Sequence, residues 1–206
     1  MRTGTGDAAA RPAVAAGHSQ AQGWDSQLRE LAAFLGREDL CEQWIERFER
    51  KAAQAKELVA PVVGEDTCMV LRLSGKEFHA YCNRGIGELL YGELGLRPAY
   101  PYPGVIYNEP IALEEVQRLN PQRLLLVICP DAATRLHWLS LQHSEGWRSL
   151  KAVHTGHIFL LLSDPWFEYS AVALDRMMDE AVLMFTGICP SPEQDKVHGC
   201  HTAYPL

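Results

Sequence analysis

The run RLLLVIC at residues 123–129 has no polar side chain after Arg123. A β-strand turns successive side chains to opposite faces, so a strand apolar at every position must be covered on both sides. HIFLLL at 157–162 has the same character. Both runs read as central strands of a sheet sandwiched by helices. Neither approaches the roughly 20 residues that a membrane-crossing helix requires.

The intervening patterns supply those helices. Trp24, Leu28, Leu31, Ala32 and Leu35 recur at helical spacing, and Gly36 stops the run. A second helix is predicted from Glu38 to about Val59, with Leu40, Cys41, Trp44, Ile45, Phe48, Ala52, Ala55 and Val59 on one stripe and ERFERKAAQAKE supplying the charged face. About 22 residues at ~1.5 Å each make a rod of roughly 33 Å, long enough to join two structural units. TCMVLRLS (67–74) and EFHAYC (77–82), separated by Gly75-Lys76, read as a tight hairpin. NRGIGELLYGELGL follows as a glycine-opened helix ending at Gly95, and RPAYPYPGVIYNEP as a loop. Helices are then predicted at about 112–119, 132–139 and 169–185, with WRSL as a single turn.

These patterns divide the chain into a disordered lead (1–23), a helical segment holding the long helix (24–60), an α/β lobe (61–187) and an irregular tail (188–206). The lead is rich in Ala, Gly, Thr and Ser and cannot bury enough apolar surface to offset its ordering entropy. It also lacks the continuous apolar core of a signal peptide. A net charge of −7 and a pI near 5.6 exclude a general nucleic-acid surface, which needs clustered Lys and Arg. The six cysteines, 41, 68, 82, 129, 189 and 200, show no close disulfide spacing. Free, buried thiols in a reducing compartment fit them, so the cytoplasm is expected as the sequence stands, with an extracytoplasmic place as the alternative.

The order of short motifs carries a resemblance. VLRLSG with Phe78, then YCNRGIG, LYGELGLRP, LNPQRLLLV, Trp147–Leu150 before AV and Gly156-His157-Ile158-Phe159, and finally DPWFEYSAVALD are arranged as in the iron-siderophore and cobalamin class of solute-binding proteins. The chain is more narrowly similar to the sensor module of AraC-type siderophore-responsive regulators. The resemblance spans about residues 24 to 187. It implies an α/β fold: a single Rossmann-like lobe of a two-lobed solute-binding fold, preceded by the long linking helix, with the first lobe almost wholly lacking. The ligand of that class lies between two lobes.

The resemblance also marks candidate ligand residues. Arg84 follows a strand at a glycine-rich helix start, where unpaired N–H groups and a guanidinium fork both suit anionic oxygens; the alternative is an ordinary pair with a surface carboxylate. Gly85 belongs to the same turn. Trp166 and Tyr169 stand at a strand-to-helix corner, a place where open α/β sheets present binding residues, and either rim a cleft or pack beneath the loop. Tyr81 shares a strand face with His79, so both are core or both functional. Trp138 is a weaker candidate for the cleft face. Trp44 and Phe48 read as core.

A metal site at His198, Cys200 and His201, with Cys189, matches no closed zinc spacing. No nucleophile elbow, phosphate loop or His-Glu-x-x-His pattern is present, and an enzyme is not expected. What the resemblance implies is binding without chemistry: a ferric siderophore as ligand, iron held only inside it and no protein cofactor. Its partners would be a chain supplying the other lobe or an ABC permease. An interaction or dimerisation fragment of a regulator, and a non-functional truncated product, are the alternatives.

Overall fold

The computed structural model describes residues 23–103, 106–161 and 165–188. Two helices lead the chain, α1 (Trp24–Leu35) and α2 (Glu38–Val63). They pack through aromatics: Trp24 meets Phe48 edge-on at 4.8 Å, and Trp44 stacks on Phe48 at 5.4 Å. Phe48 is 1% exposed, as its place on the apolar stripe requires.

α2 runs four residues past its expected end, through Pro61. A proline removes one ladder donor but tolerates helical φ, so a helix can finish around it if the loosened carbonyls find partners. At the helix end the terminal carbonyls are met: Gly64 donates to Ala60, and the guanidinium of the buried Arg123 donates to the Val62 carbonyl at 2.7 Å. Asp66, 3.2 Å from Arg123, balances that charge. Burial of this arginine at 3% exposure is tolerated because its charge is met by Asp66 and one terminal nitrogen by the Val62 carbonyl, while its Nε is left without a partner.

The hairpin forms as expected, β1 (Thr67–Ser74) against β2 (Glu77–Cys82), and β5 (Arg123–Ile128) runs parallel to β1 on its other side. With β3 (Arg97–Pro98), β4 (Tyr107–Ile111) and β6 (Ile158–Leu160), they make one sheet in the order β4-β2-β1-β5-β6, β3 pairing with the start of β1. Two expectations are corrected here. The Pro/Tyr-rich segment holds two short strands rather than a loop alone; β4 is an edge strand, where Pro110 needs no ladder donor. The second apolar run gives β6 at the other edge, half-buried, so only β5 is covered as a central strand.

The sheet separates two cores. On one face α2, α8 (Ala171–Thr186) and the segment after β2 cover Cys68, Val70, Leu125 and Val127. On the other, α4 (Leu113–Leu119), α5 (Ala132–Leu141) and the short α6 (Glu145–Arg148) and α7 (Lys151–His154) enclose Met69, Leu71, Leu124 and Leu126. WRSL closes the single-turn helix α6, with Ser149 as its C-cap and Leu150 as the N-cap of α7. Lys51 ties α2 to α8, bonding Asp179 at 2.8 Å and Asp175 at 3.0 Å.

One departure from regular pairing shapes the lobe. The β1–β2 ladder ends at Leu71–Ala80, and β2 continues for two residues bonded only to β4. The Tyr102 hydroxyl fills the vacated place, accepting from the Val70 N–H at 3.1 Å and donating to its carbonyl at 3.2 Å. β2 is thereby free to leave β1 and feed the next segment across the sheet face. Tyr102→Phe strands two backbone groups of a residue that is 0% exposed. It should lower stability by about 1–3 kcal/mol, read as a reduced urea midpoint.

Candidate functional site

The segment leaving β2 is a three-residue turn of helix, α3 (Arg84–Ile86), that passes directly into a π-helix at Gly87–Glu93. Asn83 governs its start. Its side-chain oxygen accepts from the Ile86 N–H at 2.8 Å as the N-cap, and its backbone carbonyl accepts from Gly87 at 2.9 Å. Asn83 thus takes one of the unpaired donors of the glycine-rich start, the Ile86 N–H, and begins the regular helix bonds with the Gly87 N–H.

The same Asn83 side chain reaches the corner before α8. Its Nδ2 donates to the Trp166 carbonyl at 2.7 Å and, over a longer 3.4 Å, to the Tyr81 hydroxyl. Gly85 is buried against this corner: a Cβ there would stand 3.1 Å from the Glu168 carbonyl and 3.6 Å from Met177 Cε. Its lack of a side chain allows α3 to approach the corner. Gly85 serves packing here and faces protein backbone.

The corner reverses the expected roles of its aromatics. Trp166 is 1% exposed, and its indole N–H donates to Glu180 at 2.5 Å. It lies in the core beneath the corner and does not form a lip. The following Phe167 is 46% exposed. Trp138 is further displaced: it packs edge-on against Trp147 at 5.3 Å in the core on the other face of the sheet. Tyr81 is half-buried, packed against the same core as Tyr169.

Arg84 and Tyr169 do come together. The guanidinium lies 5.0 Å from the centre of the Tyr169 ring, within cation–π range. The phenol donates to both oxygens of Glu88 at 3.0 and 3.1 Å. Partial burial, and then the Glu88 carboxylate, push the Tyr169 phenol well above its ordinary range, while Arg84 opposes the shift. Glu88 was not singled out in the sequence; its position one helical turn after Arg84 is the signal that pointed to it. The Asn83 N-cap was legible in NRGI as an Asn before a turn.

The thiols near the site are inert by burial, which pushes Cys68 and Cys82 up to about 12. Cys41, Cys68, Cys82 and Cys129 are all free, and Cys189 and Cys200, with the VHGCH stretch, lie outside the described residues. Two open recesses of about 450–460 Å³ lie elsewhere, one beside Glu145, Arg148 and His154, the other between Lys76 and His137. Neither includes Arg84 or Tyr169. Among the described residues no helix is long and apolar enough to cross a membrane.

A sheet with parallel central strands, a long helix leading into it and two loops meeting at one face make up the α/β lobe. Residues 8–165 match the model of the periplasmic binding protein family, and the chain belongs to that family. Among its relatives, the HTH-type transcriptional activator Btr of Bacillus subtilis is 28% identical over 169 residues, 82% of this chain and 32% of that protein. The iron(3+)-hydroxamate-binding protein FhuD of the same organism is 32% identical over 168 residues, 74% of this chain and 50% of that protein. The chain thus spans about a third to a half of these relatives. Two solved structures share the fold. FeuA of B. subtilis, a triscatecholate siderophore-binding protein complexed with ferri-bacillibactin, has a TM-score of 0.67 at 22% identity, over 82% of this chain and 61% of that one. FhuD2 of Staphylococcus aureus with bound ferrioxamine B has a TM-score of 0.64 at 19% identity, over 81% and 66%.

The Tyr169–Glu88 bond is open to direct test. A phenol whose pKa is raised on folding favours the folded state below its ordinary value near ~10, and that contribution is lost as pH rises through the folded value. Tyrosinate absorbance should show Glu88→Gln ionising one phenol at lower pH than the parent protein does. Superimposable curves would remove Glu88 from Tyr169.

Proposed function

We propose that this chain binds a ferric siderophore without chemistry, as one wall of a two-lobed site, within an iron-uptake or iron-responsive regulatory protein. The observation that carries this is the meeting of Arg84 and Tyr169, from two loops distant in sequence, on a lobe of the periplasmic binding protein family. A guanidinium stacked on a phenol ring is held in orientation, with its outward donors aimed at anionic oxygens. Tyr169 and the exposed Phe167 supply apolar cover for the organic part of the chelate. Iron is carried inside the ligand, and no protein cofactor is invoked.

The relatives support both settings: Btr is a transcriptional activator and FhuD an iron(3+)-hydroxamate-binding protein. The first favours a lobe within a transcriptional regulator, the second a lobe within an iron-uptake protein. In both readings the opposite wall comes from a second lobe. Affinity of the isolated chain is accordingly weaker than that of a two-lobed protein, because one face of the ligand stays in water.

The test is titration of tryptophan fluorescence with ferric siderophores, for the chain alone and with a chain supplying the other lobe. Trp166, directly beneath the site, is the expected reporter. Quenching should saturate, and Arg84→Gln and Tyr169→Ala should each weaken binding by about tenfold, the cost of a hydrogen bond to a charged group. No quenching in either setting would sink the proposal.

A further inference from the structure

We propose that the outer stripe of α1 is a self-association surface, on which a second copy of this chain seats its own α1 antiparallel across a two-fold axis. α1 is apolar over more of its circumference than its place in the lobe uses. Trp24, Leu28 and Ala32 face the core. Leu31, Phe34 and Leu35, at the i, i+3, i+4 spacing of a helix-packing ridge, face outward at 55%, 86% and 59% exposure.

Leu40, 57% exposed at the start of α2, belongs to the same patch. The helix pair has two sides. On one, Arg29 meets Glu42 at 2.8 Å; on the other, Trp24 meets Trp44 edge-on at 5.5 Å. Leu31 and Leu35 stand two and three turns beyond Trp24, and Leu40 one turn before Trp44, which puts all three on the tryptophan side. The apolar surface therefore crosses from one helix to the other.

Its size marks it as an interface. Side chains of this volume offer roughly 150–200 Å² when free, so the four expose on the order of 400–500 Å² in one copy, as much as the largest apolar patch of a typical monomer. Two copies face to face bury about 900 Å² from these side chains alone, and with their polar rims they pass the roughly 1,000 Å² at which a specific interface begins.

Charge selects the partner and its direction. Glu30 borders the stripe one turn before Phe34, and Arg37 follows Phe34 by just under a turn. Across a two-fold axis beside Phe34 the two α1 helices run antiparallel, and Glu30 of each copy comes beside Arg37 of the other. A parallel arrangement sets Glu30 against Glu30 and Arg37 against Arg37. The antiparallel patch is complementary to itself, as a two-fold contact demands.

The experiment is sedimentation equilibrium of the full chain over a range of concentrations, with no ligand added, so its outcome is independent of the siderophore titration. A monomer–dimer equilibrium is expected. Phe34→Glu, at an exposed position, should leave the circular dichroism and melting of the lobe unaltered and weaken the dimer about a hundredfold. Glu30→Arg and Arg37→Glu should each weaken it several-fold. Mixing these two variants should restore it, because both contacts between positions 30 and 37 then join opposite charges. A parent chain that stays monomeric at ~1 mM overturns the inference and leaves the stripe to a chain supplying the other lobe. A dimer that survives Phe34→Glu overturns it by placing the contact elsewhere. A dimer that Phe34→Glu breaks but mixing does not restore overturns the antiparallel arrangement.

Discussion

Covering β1 and β5 on both faces is the constraint from which the rest of this lobe follows. Their side chains are apolar in both directions, and Val70, Leu71, Leu124, Leu125 and Leu126 are all 0% exposed. Two sets of helices are therefore obligatory, and the chain meets the demand asymmetrically. On one face it uses short helices close in sequence. On the other it uses α2, α8 and the segment after β2, which come from three separate regions and meet over Cys68, Val70, Leu125 and Val127.

That second face carries the proposed site, for a physical reason. Helices brought together from distant regions meet at loop ends, and two of those ends, at Asn83 and at Trp166–Tyr169, are locked to each other by one side chain. Asn83 caps α3 with its oxygen and holds the corner with its nitrogen. The rim is thus built on a core in which Trp166 is the filler and Tyr169 the presented group. Its rigidity suits recognition, since ordering cost is met on folding rather than on binding.

Charge supplies the other half of the picture. Four of the twelve described arginines, Arg29, Arg97, Arg118 and Arg123, are balanced by carboxylates, and at Arg123 burial makes the balance essential. Arg84 instead stacks on Tyr169, and Arg72 rests on a thiol and a ring.

Much of the lobe was legible along the chain. The hairpin at 67–82, β5 and the helices α1, α4 and α8 follow from periodicity, glycine stops and N-caps such as Ser170, because these are local properties. The bounds of α2 were not, since its last turn depends on Arg123, some sixty residues away. Nor was β4, whose Pro110 is tolerated only because tertiary pairing puts it at an edge. In the site, Arg84 and Tyr169 were legible as residues but not as a pair. Trp166 and Trp138 could not be told from cleft residues, because aromatic side chains serve core and rim alike until packing assigns them. Sequence alone determined the elements, the α/β class and the family pattern; tertiary structure decided which aromatic is buried, which arginine lacks a carboxylate and which loops touch. Periodicity records what each residue needs from its surroundings, and only the assembled fold determines which neighbour meets that need.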